Sequence, residues 1–163
     1  MADAIDKEEG SDEGARRKPV RLNGAYRFKV DDKGRVALPA KFRKVLPAQL
    51  TVARELENDC LYVFVPEDYE EWIDRLFARS FGEFDDANKE HQRLMMGLKS
   101  MADDVVVDKT GRIMLPQESR TQVGIDKDVV IVGENGRFDI WDAKRYDEAM
   151  SSIDLSVFYK SAS

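Results

Sequence analysis

The chain carries one stretch of sequence twice. Val30-Asp31-Asp32-Lys33-Gly34-Arg35-Val36-Ala37-Leu38-Pro39 returns 77 positions later as Val107-Asp108-Lys109-Thr110-Gly111-Arg112-Ile113-Met114-Leu115-Pro116. The same ungapped shift carries Arg43 onto Arg120, Val52 onto Val129, Glu57-Asn58 onto Glu134-Asn135 and Tyr69 onto Tyr146. A repeat of this kind is one supersecondary unit built twice, and it constrains the fold more than any local propensity. Each copy, about 45 to 50 residues, is too small to bury much core alone, so the halves are expected to share one. The repeated residues are also informative by type. A duplicated core would keep its hydrophobics; this one keeps a charged turn and a proline-led helix start as well.

Within the first copy, Tyr26, Phe28 and Val30 alternate with Arg27 and Lys29, the pattern of a half-buried strand. Asp31 to Arg35 forms a turn, with Gly34 available for a positive φ and Asp31 able to accept local backbone N–H bonds. Val36-Ala37-Leu38 returns as a second short strand, giving a charged hairpin. Pro39 opens a helix whose expected buried stripe is Phe42, Val45 and Leu46. Leu50 to Leu56 and Cys60 to Val65 flank a second turn at Glu57-Asn58-Asp59. The second copy repeats the order, with strands at Val105–Val107, Ile113–Leu115, Val129–Val132 and Phe138–Trp141 and a helical stretch from Pro116 to Val123. Between the copies, Tyr69, Trp72, Ile73, Leu76 and Phe77 keep helical spacing, and a second helix is expected from about Asp86 to Lys99. Lys144 to Met150 reads as a shorter helix capped by Asp142.

Several chemistries are excluded by what is missing. The lone Cys60 and lone His91 have no metal-ligand or nucleophile spacing, so His91 is expected on a polar helix face and no metal or cofactor is expected. Gly133-Glu134-Asn135-Gly136 lacks the Lys-Ser/Thr of a phosphate-cradling loop. Asp108-Lys109-Thr110-Gly111 resembles an aspartyl-phosphate signature, but that motif continues with Thr where this chain has Arg112. The parallel turn in the first copy reads Asp-Asp-Lys-Gly-Arg, so the pattern belongs to the repeat. No constellation for an enzyme remains. No apolar run approaches the roughly 18 to 20 residues of a membrane helix, and no hydrophobic signal segment opens the sequence. With one cysteine and 42% hydrophobic residues, the default expectation is a cytoplasmic globular protein.

The net charge is −6, yet it is unevenly spread. From Arg27 to Lys44, seven cations (Arg27, Lys29, Lys33, Arg35, Lys41, Arg43, Lys44) face only Asp31 and Asp32, a net of +5. The matching window, Asp104 to Thr121, balances at zero. A local basic patch can attract phosphate on an acidic protein, because screening confines the relevant field to about 10 Å. A single Asp-x-x-Gly-Arg turn would read as a plain β-turn in which Asp caps the loop and pairs with Arg. Its retention in both copies points instead to a guanidinium presented for bidentate contact, with a phosphate or a guanine edge as the ligand. Spacing alone leaves open whether Arg43 and Arg120 join that surface.

At these residues the chain resembles the MraZ family of bacterial transcriptional regulators, within the AbrB-like swapped-hairpin superfamily. The resemblance covers Leu22 to about Met150. It rests on the two Asp-x-x-x-Arg motifs (Asp31 to Arg35, Asp108 to Arg112), on Lys33-Gly34-Arg35 followed by Leu-Pro-Ala-Lys-Phe-Arg (Leu38 to Arg43), and on Ile140-Trp141-Asp142. It implies an α+β fold of two pseudo-twofold-related AbrB-like β-α-β halves sharing one core. The expected organisation is a disordered charged tail (1–21), repeat 1 (22–69), inter-repeat helices (70–102), repeat 2 (103–150) and a C-terminal tail (151–163).

It further implies a homo-oligomeric ring, commonly octameric or larger. Such a ring would be nucleoid-associated and bind double-stranded DNA at short direct repeats in the promoter of its own division and cell-wall gene cluster, usually as a repressor. The family's DNA-reading role falls on Asp31, Lys33, Arg35, Asp108 and Arg112. Lys29, Lys33, Lys41 and Lys44 would add sequence-independent phosphate attraction, and Arg43 completes the candidate set. Two departures stand out: an acidic tail before Leu22, and Thr110 where the first loop has Lys33. The rival reading is a ring-forming scaffold whose charged turns bind a protein partner. Trp72, Phe77 and Leu94 are the expected assembly contacts.

Overall fold

Apolar alternation in both copies yields short strands, and Pro, Gly and Asp punctuate them where the pattern breaks. The computed structural model describes residues 18–160. The first half contains β1 (Ala25–Lys29), β2 (Arg35–Ala37), a one-turn helix α1 (Ala40–Arg43), β3 (Gln49–Arg54) and β4 (Leu61–Phe64). Helices α2 (Pro66–Phe81) and α3 (Lys89–Ser100) follow. The second half repeats the series as β5 (Ala102–Val106), β6 (Arg112–Met114), α4 (Gln117–Gln122), β7 (Asp128–Gly133) and β8 (Arg137–Asp142), then α5 (Ala143–Ser151) and α6 (Val157–Lys160). Among the described residues, no helix is long and apolar enough to cross a membrane.

β3–β4 and β7–β8 form the expected hairpins within each repeat, and every other strand pairing crosses from one half to the other. A six-stranded antiparallel sheet runs β1-β7-β8-β4-β3-β5, and β2 pairs with β6 in a separate two-stranded ribbon. Exchanging the two halves leaves both orders unchanged, which is the pseudo-twofold axis in topological form. The charged turn does close locally, since Asp31 N donates to Arg35 O at 2.9 Å. Beyond it the expected hairpin does not zip. β1 joins β7 (Phe28 opposite Val129), and β2 joins β6 (Val36 opposite Ile113). The reason is burial: Val36 and Ile113 are each 1% exposed, and side by side they close the shared core from below the sheet.

That core draws on both halves, as the size of each repeat requires. Leu50, Val52, Leu61 and Val63 from the first half meet Val129, Ile131, Phe138 and Ile140 from the second. Phe42 on α1 sits 5.6 Å, centroid to centroid, from Phe138 of the other half. Truncating such a buried ring would cost about 3 to 5 kcal/mol. Val45 was expected in the same stripe but lies outward, because α1 stops after four residues and the chain turns away.

The opposite face of β3 and β4 carries Ala53, Tyr62 and Phe64, and α2 covers it with Tyr69, Trp72, Ile73 and Phe77. α2 begins with Pro66 and two acidic residues at its positive end and stops at Gly82, whose φ of 86° turns the chain. α3 is tied to it by Tyr69 Oη donating to Leu98 O at 2.7 Å. His91, expected on a polar face, is buried instead among Phe77, Phe81 and Phe84, and its Nδ1 accepts from Asp85 N. Trp72 and Phe77, expected as assembly contacts, likewise pack inside the chain's own fold, whereas Leu94 is 43% exposed.

The tail has more order than its composition suggests at its inner end: Gly136 N donates to Val20 O, and Arg21 bridges Asn135. The rest of that tail, 1–17, lies outside the described residues.

Candidate nucleic-acid interface

Each charged turn is wired by its aspartate. Asp31 Oδ1 accepts from the backbone N–H of Lys33 (2.9 Å) and Arg35 (2.8 Å), while Oδ2 accepts from Arg35 Nε (3.0 Å). Asp108 Oδ1 accepts from Thr110 N, Thr110 Oγ1 and Arg112 N at 2.8–2.9 Å, and Oδ2 from Arg112 Nε at 3.2 Å. Gly34 and Gly111, at φ 86° and 81°, make the reversal that non-glycine residues resist. The backbone N–H of Arg35 and of Arg112, first among these donors, holds the respective aspartate below the usual carboxylate range, Asp108 down to about 2. Both therefore stay ionised at neutral pH. An aspartate bonded on both oxygens orients its arginine, and engaging Nε leaves the terminal nitrogens of Arg35, and Nη2 of Arg112, available to a ligand.

The pseudo-twofold joins the two turns into one surface. Leu38 N donates to Gly111 O at 2.9 Å, and Leu115 N to Gly34 O at 2.8 Å, so each turn's glycine anchors the other half's strand. Arg112 Nη1 lies 3.7 Å from Asp31 Oδ2, an ion pair across the repeat. Each turn is also braced by the other half's helical arginine. A Cβ placed on Gly34 would meet Arg120 Nη2 at 2.8 Å, and one on Gly111 would meet Arg43 Nη1 at 2.5 Å. Arg120 Nε donates to Leu115 O at 3.1 Å. The question that spacing left open about Arg43 and Arg120 thus has a structural answer: both lie beside the turns, packed on their glycines. Sequence reading missed this bracing, because each contact spans the two copies and leaves no local pattern.

The outer face of the β2–β6 ribbon follows from strand alternation. Val36 and Ile113 point to the core, so Arg35, Ala37, Arg112 and Met114 point away, with Arg35 opposite Met114 and Ala37 opposite Arg112. The two arginines are half-buried at 30% and 33% side-chain exposure, steadied without being hidden. Ala37 and Met114 were not singled out from sequence, though counting two residues on from each arginine would have found them. Lys33 and Lys109 are exposed at the turns, and Lys41 is exposed on α1.

The +5 window is less basic in the folded chain. Arg27 pairs with Asp147 and Lys29 with Asp128, each at 2.7 Å and each across the repeat. Elsewhere, Glu55, Glu57 and Asp59 bring their carboxylates together, but Glu55 Oε1 accepts from Glu57 N and Asp59 N and so caps the β3–β4 turn. Burial pushes the Cys60 thiol far up, which leaves it unreactive.

Comparison with known proteins adds an independent line. A family model described as "MraZ protein, putative antitoxin-like" matches residues 22–92 and again 98–163. The transcriptional regulator MraZ of Clavibacter michiganensis subsp. michiganensis is 35% identical over 129 residues, 79% of this chain and 86% of its own. The protein of the same name from Treponema denticola is 33% identical over 129 residues, 78% and 85% of the two chains. That from Acetivibrio thermocellus is 32% identical over 134 residues, 82% and 90%. These relatives are named as regulators, not as enzymes.

Proposed function

Because the chain belongs to the MraZ family, we propose that it is a transcriptional regulator that binds double-stranded DNA by sequence. In this reading it represses its own division and cell-wall gene cluster from short direct repeats in the promoter, acting in the cytoplasm at the nucleoid. The observation that carries the proposal is the cross-paired β2–β6 ribbon, which presents Arg35 and Arg112 on one face with each guanidinium held by its own aspartate. The major groove, about 12 Å wide, admits a two-stranded β-ribbon, and arginine's terminal nitrogens match the O6 and N7 acceptors of guanine.

The aspartates orient the arginines through Oδ2, which keeps a lone pair with which to accept from a cytosine amino group as well. Preorganisation of this kind lowers the side-chain entropy lost on binding. Lys33, Lys41 and Lys44 supply phosphate attraction that fixes register without reading sequence. One ribbon of six residues offers little contact area. A homo-oligomeric ring that engages several direct repeats together gains affinity through effective concentration.

The test is titration of the purified protein against its own upstream DNA, with a scrambled duplex of equal length and charge as control. Selective retention of the upstream DNA is expected. Equal retention of both duplexes would leave only electrostatic binding, and binding of neither would end the DNA reading.

A further inference from the structure

We propose that Met114 is a specificity-determining residue that reads the 5-methyl group of a thymine beside the base contacted by Arg35; the inference rests on the DNA-binding reading above. Single exposed apolar residues are ordinary on protein surfaces, so exposure alone would mean little. Met114, 46% exposed, is distinguished by position: it is directly opposite Arg35 in the ribbon register and on the same outward face. Side chains facing one another across an antiparallel pair have Cβ atoms about 4.5 to 5.5 Å apart. Neighbouring base pairs stack at a similar spacing, about 3.4 Å, so a guanidinium and an adjacent thioether can address adjacent bases.

The chemistry matches the groove. In the major groove thymine presents its methyl group, which is recognised by apolar contact and never by a hydrogen bond. A methionine side chain is flexible and polarizable and adapts to an irregular apolar contact.

The pseudo-twofold supplies a built-in control. Met114 corresponds by the 77-residue shift to Ala37, which sits opposite Arg112. The two ends of the ribbon therefore carry the same arginine but different neighbours. Alanine ends at Cβ, whereas methionine extends three heavy atoms further. Ala37 could touch a thymine methyl only on closer backbone approach, so the longer reach assigns this contact to the Arg35–Met114 end, and the ribbon distinguishes its two ends although its backbone is pseudosymmetric.

The experiment replaces each thymine of the upstream duplex, one at a time, with deoxyuridine, which removes only the 5-methyl. Affinity is read by fluorescence anisotropy for the wild type and for Met114→Ala, an exposed position whose truncation leaves the Asp31–Arg35 turn intact. At one thymine the wild type should lose roughly three- to five-fold, the worth of one buried methyl. Met114→Ala should be indifferent to that same replacement. The proposal is overturned if no deoxyuridine weakens the wild type while the upstream duplex is still preferred over the scrambled one. It is equally overturned if Met114→Ala keeps the full sensitivity. If the wild type does not prefer the upstream duplex at all, the DNA-binding reading itself has failed.

Discussion

Replacing Arg35 by lysine separates base reading from charge. The wild-type guanidinium uses Nε on Asp31 Oδ2 at 3.0 Å and keeps its terminal nitrogens for a ligand. A lysine ammonium at the end of a flexible stem can pair with Asp31 or reach the groove, but it cannot hold a planar fork in place while doing so. Loss of a bidentate base contact costs about 1 to 3 kcal/mol, or roughly 5- to 150-fold in affinity. The fold should lose far less. The Arg35–Asp31 pair is 30% and 37% exposed, and pairs that open to solvent contribute about 1 kcal/mol or less. Asp31 also keeps its two backbone donors, Lys33 N and Arg35 N, whatever side chain stands at 35. Arg35→Lys is therefore expected to unfold within a few degrees of wild type while its preference for one base position relaxes. Since the charge is unchanged, the slope of log affinity against log salt should not move. Anisotropy titrations at several salt concentrations, paired with thermal melts, measure all three quantities. A folded Arg35→Lys protein with wild-type affinity and base preference would refute direct reading by this arginine.

The cations should be unequal, because the fold pairs some and leaves others at the turns. Lys33→Ala should flatten the salt slope by about 0.9, and Lys29→Ala, whose ammonium is engaged by Asp128, by less; equal changes in salt titrations would contradict that assignment. Asp139 lies 5% exposed on β8, bonded to Arg137 Nε beside Tyr62, and burial pushes it up to about 7. The folded state thus holds a proton that the unfolded chain gives up near pH 4. Its stabilising effect is full below that pH and is lost as pH rises through about 7, on the order of a few kcal/mol. Melts of wild type and Asp139→Asn from pH 4 to 8 should converge or cross accordingly, and parallel curves would refute it. Leu94 lines an apolar cleft of about 430 Å³ between α2 and α3 with Leu76, Phe81 and Leu98. Leu94→Glu is expected to shift the protein to smaller species in sedimentation velocity, and an unchanged distribution would place assembly elsewhere.

The sequence made the duplication, the order of strands and helices and the two turns readable, because each depends on residues close in the chain. Pairing was readable only in the β3–β4 and β7–β8 hairpins, whose turns are local. β1 and β5 carry the same alternation whether they zip onto β2 and β6 or onto the opposite half, and only the burial of Val36 against Ile113 decides it. The same limit applies to charge. Lys29 and Arg27 look free in a linear window but meet Asp128 and Asp147 once the halves interleave. His91 misled for a related reason: its polar neighbours on α3 say nothing of the Phe77, Phe81 and Phe84 rings that enclose it. At the candidate site, Asp31, Arg35, Asp108 and Arg112 could be picked out individually. Their union into one ribbon, and its bracing by Arg43 and Arg120, required the fold.

Base analogues show directly whether this ribbon enters the major groove. Substituting 7-deazaguanine for guanine removes the N7 acceptor from the major groove, whereas inosine removes only the N2 amino group from the minor groove. With the upstream duplex, 7-deazaguanine at the contacted positions should weaken wild-type binding at least about five-fold and leave an Arg35→Ala, Arg112→Ala double variant unaffected. Inosine should change little. Binding that tolerates 7-deazaguanine throughout but falls with inosine would place the protein in the minor groove and rule out major-groove entry by the ribbon.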